Sequence, residues 1–266
     1  MRLAAHLPRF LAIATALAAA PSFAQEAQPE PCPRLIASGP SLIRRVAVKT
    51  DELGLTFVGH ATFVLETPQG VRVATDYNDY VKPRVELDVV TMNKAHDTHF
   101  TNRVDPSIPH VLRGWNPRGG PAAHDLTVKD MRIRNVVTNI RDWGGGTEYD
   151  ANSIFVFEAS QLCVAHLGHL HHELTEEHLK QIGRIDIALA PVDGGFTLGQ
   201  QGMINVLKTL QPSLIIPMHF FGPSTLNRFL AQAREHWPVE FANNPSLTLS
   251  RASLPASTKV LVLPGR

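Results

Sequence analysis

The chain has 266 residues, 44% of them hydrophobic and 18% charged, with a formal net charge of +1. That is enough to bury a sizeable core in one large domain or two small ones. A near-neutral balance with no dense run of lysine and arginine argues against nucleic acid or an anionic membrane as the main partner, and leaves a small-molecule substrate as the expectation.

Residues 1–24 differ in composition from the rest of the chain. Arg2 and Arg9 supply a positive start, residues 10–20 an apolar stretch, and Ser22-Phe23-Ala24 a small-x-small cleavage site. They read as a secretory signal peptide cut near Ala24, which predicts a secreted protein, periplasmic if the host is a Gram-negative bacterium. The apolar stretch is shorter than the roughly 20 residues that a membrane-crossing helix needs, so no stable membrane insertion is expected. A proline-rich lead covers residues 25–50 and the folded domain is placed at residues 51–266. The two cysteines, Cys32 and Cys163, can bridge in an oxidising compartment. Equally open is a buried Cys163 with an unpaired, exposed Cys32.

Within the domain, residues 55–58, 62–66 and 71–75 read as hairpin strands, the last two parted by Pro68-Gln69-Gly70. A further strand at 87–91 runs into a histidine-bearing segment, and the Pro, Gly and Asn content of 101–120 predicts a long loop. Residues 126–137, 152–158 and 162–165 read as strands. Thr175 is a good N-cap, with Glu176 and Glu177 in the first turn of a helix that ends near Gly183. Strands at 185–190 and 213–217 then alternate with helices at 199–210 and 224–236, and β-like runs at 246–250 and 259–263 close the chain. Antiparallel strands followed by strand and helix alternation predict an α/β (α+β) domain of sheets covered by helices.

Histidine follows a predicted strand in four places: Gly59-His60, His96-Asp97-Thr98-His99, the run from His166 through His169 to His171-His172, and Met218-His219. Any one of them can be an ordinary core or turn residue. Strands of a sandwich that end on one edge bring their loops together, however, and three or four imidazoles meeting there would hold a divalent ion with an open position, as zinc hydrolases do.

These segments carry a resemblance to the metallo-β-lactamase fold hydrolases, and within them to the ascorbate-6-phosphate lactonase-like branch, over roughly residues 53–222. Its marks are Gly59-His60-Ala61-Thr62, Thr75-Asp76, residues 94–99 where the family has His-x-His-x-Asp-His, Asn152-Ser153, His166-Leu167-Gly168-His169 where His-Leu-Gly-Asp is usual, Pro191-Val192-Asp193-Gly194-Gly195 and Pro217-Met218-His219. The resemblance implies a four-layer αββα sandwich with metal at the open edge of its sheets. It also exposes departures, because Lys94, Thr98 and His169 stand where the family has histidine, aspartate and aspartate.

By position, His96, His99, His169 and His219 are the implied metal ligands, with His60, His171 and His172 as substitutes. Without the two carboxylates, and with Lys94 adding a positive charge, a pair of divalent ions lacks charge compensation, so one ion is expected rather than two. Zinc is favoured, although Ni²⁺ or Cu²⁺ would also bind imidazoles. The expected activity is hydrolysis of a small ester, lactone, amide or phosphoester. Lys94 would stabilise a developing oxyanion, Asp142 or Asp193 would accept a proton, Asp76 would orient a ligand histidine through its free N–H, and His166 would lie buried beneath the site. The alternative is an inactive relative that binds or sequesters metal in the cell envelope, motivated by the cation at Lys94. A purely structural metal is a third reading.

Overall fold

The first strand is written by alternation. In β1 (Leu53–Gly59) Leu53, Leu55 and Phe57 are buried while Gly54, Thr56 and Val58 are partly exposed, the period of two that a sheet with one face on a core imposes. The computed structural model containing this strand describes residues 52–142 and 144–265. The expected signal peptide, the lead and Cys32 lie outside them. Cys163 is disulfide-bonded.

β1 pairs antiparallel with β2 (Thr62–Glu66), with a register shift between Phe57 and Gly59, and β2 pairs with β3 (Arg72–Ala74). β4 (Val89–Met92) and β5 (His110–Arg113) add in parallel. β5 falls inside the stretch expected to be a loop: its four residues are short enough for the surrounding prolines and glycines to hide them. The predicted strand at 126–137 is a hairpin instead, β6 (Asp125–Val128) and β7 (Met131–Arg141), turning through Lys129 with φ 48°. A non-glycine residue in that region gives little warning in the sequence.

β8 (Thr147–Ala159) and β9 (Leu162–His166) continue the second sheet antiparallel. The chain then passes through α1 (Glu176–Ile182), β10 (Ile187–Pro191), α2 (Gln200–Leu210), β11 (Leu214–Met218) and α3 (Pro223–Ala233). It closes with β12 (Val239–Phe241), β13 (Ser246–Leu249) and β14 (Lys259–Val262). The six-stranded sheet has the order β13-β1-β2-β3-β4-β5 and the eight-stranded sheet β12-β14-β11-β10-β9-β8-β7-β6. β9, β10 and β11 are parallel and every residue in them is buried, which is why they read as unbroken apolar runs.

Leu55, Phe63, Phe155, Phe157, Leu189 and Ile216 fill the space between the sheets. On the far face of the eight-stranded sheet, Val156, Ala188 and Ile215 meet Met203 and Leu207 of α2 and Phe229 of α3. The two sheets of the expected four-layer αββα sandwich are therefore present with α1, α2 and α3 on the eight-stranded side, while among the described residues loops take the place of the second helical layer. Val64, Val90 and Met92 on the outer face of the other sheet are covered by Tyr77, Leu87 and Ile108 from the loops around β4. Among the described residues no helix is long and apolar enough to cross a membrane.

The start of α1 is fixed by a capping box: Thr175 Oγ1 accepts from the His178 backbone N–H and His178 Nδ1 accepts from the Thr175 N–H, both at 3.2 Å. Thr175→Ala is expected to cost about 1 kcal/mol, read as a lower midpoint in urea unfolding at unchanged slope.

Candidate metal centre

Backbone geometry at the strand ends builds the site. His60 follows β1 with φ 52°, Asp76 follows β3 with φ 41°, and His219 follows β11 with φ 54°. Three non-glycine residues in the left-handed region cost about 1–3 kcal/mol each, a strain that clusters at functional sites. Surrounding bonds hold it in place. Thr75 Oγ1 donates to the Ala61 carbonyl, Thr62 Oγ1 and Asn78 Nδ2 donate to the Asp76 carbonyl, and the His219 N–H donates to the His60 carbonyl at 2.8 Å.

Four rings converge in that frame. His96 and His99 come from the loop after β4, His169 from the loop after β9, and His219 from the end of β11; one nitrogen of each lies within 4.8 Å of the others. All but His96 are buried. These are the four histidines that the resemblance implied, brought together from positions up to 123 residues apart.

The outer nitrogens determine what the inner ones can do. His99 Nδ1 lies 2.5 Å from Asp76 Oδ2 and His219 Nδ1 lies 2.9 Å from Asp193 Oδ1, so each ring gives its proton to a buried carboxylate. Their Nε2 atoms then carry lone pairs, yet they face each other at 3.0 Å. Two buried acceptors so close, with no proton to share, form an arrangement that a cation resolves. His96 Nδ1 lies 2.7 Å from Thr98 Oγ1, which is 3.1 Å from His60 Nε2. With His96 donating to the hydroxyl and the hydroxyl to His60, His96 Nε2 also faces inward as an acceptor.

Burial, the largest cause, pushes the His96, His99 and His169 rings below the ordinary histidine value, with neighbouring imidazoles pushing the same way. His60 falls to about 3, from burial first and His219 second. His171 falls to about 4, from burial first and Arg141 second. Burial raises the Asp76 carboxyl, while the Asn93 amide donates to it at 3.0 Å. Hydrogen bonds from His219 and Thr197 hold Asp193 below the usual carboxylate range against burial, its largest single influence. His96, His99 and His169 are thus poised as neutral imidazoles, the form that binds metal.

Several expected roles change. Lys94 turns outward to an ion pair with Glu148 and is well exposed, so its ammonium is committed away from the cluster. Asp142 accepts from the Gly144 and Gly146 N–H groups, both at 2.8 Å; it shapes a turn and is not placed as a proton acceptor. Asp193 uses Oδ1 on His219 and Thr197 and Oδ2 on the N–H groups of Gly195, Phe196 and Thr197, so it orients His219 rather than waiting for a proton. Asp76 orients His99, as its position implied. His166 is buried, with Nε2 on the Ala61 carbonyl at 2.8 Å and Nδ1 accepting from Gly168. The substitutes are otherwise engaged: His60 with Thr98, His171 with Arg141 and His169. His172 lies outside the cluster, and its buried Nε2 has no partner among the described residues.

Reading the sequence alone gives no role to two asparagines, Asn93 and Asn152. Asn93 Nδ2 donates to Asp76 while its Oδ1 accepts from the Ser153 N–H, and Asn152 Oδ1 accepts from the His169 N–H at 2.7 Å. The signal available was their position, one at the end of β4 and the other facing it on β8. Gly168 packs between them with φ 60°, and a Cβ there would sit 2.5 Å from Asn152 Oδ1 and 2.5 Å from Asn93 Nδ2. Gly168→Ala is therefore expected to cost at least about 2 kcal/mol, seen as a lower urea midpoint.

Residues 54–219 match the family model described as "Beta-lactamase superfamily domain". A Thermotoga maritima structure, described as a candidate zinc-dependent hydrolase of the metallo-β-lactamase superfamily, is 30% identical with a TM-score of 0.60 and covers 80% of this chain and 100% of its own. A UPF0173 metal-dependent hydrolase of Pelotomaculum thermopropionicum is 24% identical over 191 residues, spanning 62% of this chain and 83% of the relative. A Parabacteroides distasonis structure at 16% identity shares the fold, with a TM-score of 0.58 over 80% of this chain and 93% of its own.

Proposed function

The chain belongs to the metallo-β-lactamase superfamily, and from that premise we propose that it is an exported metal-dependent hydrolase working with a single divalent ion, zinc, on a small ester, lactone, amide or phosphoester. The observation that carries the reading is the pair of buried, mutually facing Nε2 atoms of His99 and His219, 3.0 Å apart, with both Nδ1 protons committed to carboxylates. Those two nitrogens and His96 Nε2 would hold the ion. Three neutral imidazoles suit zinc, and three protein ligands are the usual number where zinc keeps a position open for chemistry. One ion is favoured over two because Asp76 and Asp193 are spent on orienting histidines, which leaves no carboxylate to offset a second.

When bound, such an ion would polarise a carbonyl or phosphoryl oxygen and acidify water. The chain supplies the rest. Asp76 and Asp193 fix two rings, Thr98 fixes a third, and the buried strand ends keep bulk water from one side. Beside the cluster stand two exposed aromatic rings, Phe196 at 54% and Phe221 at 59% exposure, packed edge to face at 5.4 Å. Phe221 lies 5.3 Å from His219 and 5.6 Å from His60, centroid to centroid. A wall of this kind favours a substrate with an apolar group next to the scissile bond. Phe221→Ala is expected to raise KM several-fold with little change in kcat.

Residues 1–24 support export, and a disulfide-bonded Cys163 fits an oxidising compartment. The cation that motivated the inactive alternative lies paired with Glu148, so it does not fill the ligand position. Elemental analysis of the purified protein, combined with turnover on a panel of lactones, aryl esters and phosphodiesters, tests the proposal. One zinc per chain with chelator-sensitive turnover is the expected result. Tight metal without turnover on any class would favour sequestration.

A further inference from the structure

The four clustered rings are not equivalent. The Arg141 backbone N–H donates to His171 Nδ1 at 3.0 Å, so the proton of a neutral His171 is on Nε2. That atom lies 2.6 Å from His169 Nδ1, and the proton between them comes from His171. His169 Nδ1 is thus an acceptor, and the proton of a neutral His169 is on Nε2, the atom that points inward, 2.9 Å from His96 Nε2. The other three rings reach the opposite tautomer, because Asp76, Asp193 and Thr98 take their Nδ1 protons. The cluster therefore presents three lone pairs and one N–H.

We infer that His169 is not an ion ligand but a fixed N–H donor, held in that tautomer by His171 and the Arg141 backbone, which binds an anionic oxygen of the substrate. The reading rests on the metal centre proposed above and divides its labour: His96, His99 and His219 take the ion, and His169 faces what the ion leaves uncovered. While no ion is bound, His96 Nε2 accepts the His169 proton. Once that lone pair is given to an ion, the donor is free for a carboxylate, carbonyl or phosphoryl oxygen. The position is suited to this use because the ring is buried and its backbone N–H is tied to Asn152 Oδ1 at 2.7 Å, so the donor direction is set before anything binds. Placing histidine where the family has aspartate thus exchanges a negative ligand for a hydrogen-bond donor, and points to substrates or products that carry an oxyanion.

Two-bond ¹⁵N–¹H correlation spectra of histidine-labelled, metal-free protein report tautomers directly. His169 and His171 are expected as Nε2–H, and His99 and His219 as Nδ1–H; a His169 with its proton on Nδ1 overturns the assignment whatever the metal content. In His171→Phe the His169 signal is expected to move to a mixture of tautomers, and an unmoved signal would mean that His171 does not hold the ring. In zinc competition titrations, His169→Gln is expected to stay within about threefold of the parent while His99→Gln loses at least about a hundredfold; equal losses would make His169 a ligand after all. With inorganic phosphate as the probe of the zinc-loaded protein, His169→Ala is expected to weaken binding about tenfold, and unchanged binding would remove the donor role. A parent protein that takes up no zinc would instead overturn the metal-centre reading, and the tautomer spectra would still decide His169.

Discussion

His219→Asn is expected to abolish the bound ion, to lower turnover at least about a hundredfold, and to make the thermal midpoint insensitive to chelator. Asparagine is the better replacement because His219 has φ 54°, a conformation that asparagine tolerates and alanine does not. In the parent protein, free ion a thousandfold above its Kd would add about 4 kcal/mol of stability. For a domain of this size that is roughly 8–16 °C in Tm. The variant should lose this increment and also the repulsion between the His99 and His219 lone pairs, so its metal-free form is expected to melt no lower than metal-free parent. Calorimetry with and without chelator checks both statements. A variant that retains one equivalent of zinc would mean that the facing pair is not the seat of the ion. Asp193→Asn gives a graded companion result: an amide that keeps an acceptor for the His219 proton should reduce zinc affinity about 10-fold to 100-fold without emptying the site.

The ligand candidates were legible in the sequence because a strand end is a local signal. Met218-His219 and the run to His169 each come after an apolar stretch whose burial the structure bears out, and Thr175 announced its helix through chemistry confined to three residues. What could not be read is what depends on partners far along the chain. The direction of Lys94 is set by Glu148, 54 residues later, and the tautomer of His169 by an N–H at Arg141 acting through His171. Thr98 reads as a lost aspartate, yet its hydroxyl does part of the same work by ordering His96 and His60. Asp193 reads as a free acid beside a glycine turn; every oxygen of it is in use. Residue type at a position predicts that a group is near the site. Which atom faces inward is decided by the hydrogen bonds of its other end.

Burial of the histidine rings predicts an acid limb for the metal-free protein. His60 drops to about 3 and His171 to about 4, and His96, His99, His166 and His169 are also lowered, burial being the first cause in every case. The unfolded chain takes up these protons near 6.5 and the folded one only at lower pH, so between those limits unfolding binds protons and stability rises with pH. The contribution is complete above about pH 6.5 and is lost as pH falls toward the folded values. His60 and His171 alone give nearly two protons at about pH 5, a slope of at most roughly 2.5 kcal/mol per pH unit before solvent screening. The raised Asp76 carboxyl opposes this, since the folded state then holds its proton the more tightly, and it softens the limb without reversing it. Urea unfolding of metal-free protein at half-unit steps from about pH 7.5 to about pH 4.5 measures the slope. Stability that is flat across that window would mean that the rings are not held neutral. His96 and His99, already unprotonated in the folded protein, should need to release no proton to an incoming ion, so these two rings are expected to add little to any change of zinc affinity between about pH 7.5 and about pH 6. A pair of exposed histidines would show a falling affinity there, because each must first give up a proton near about 6.5.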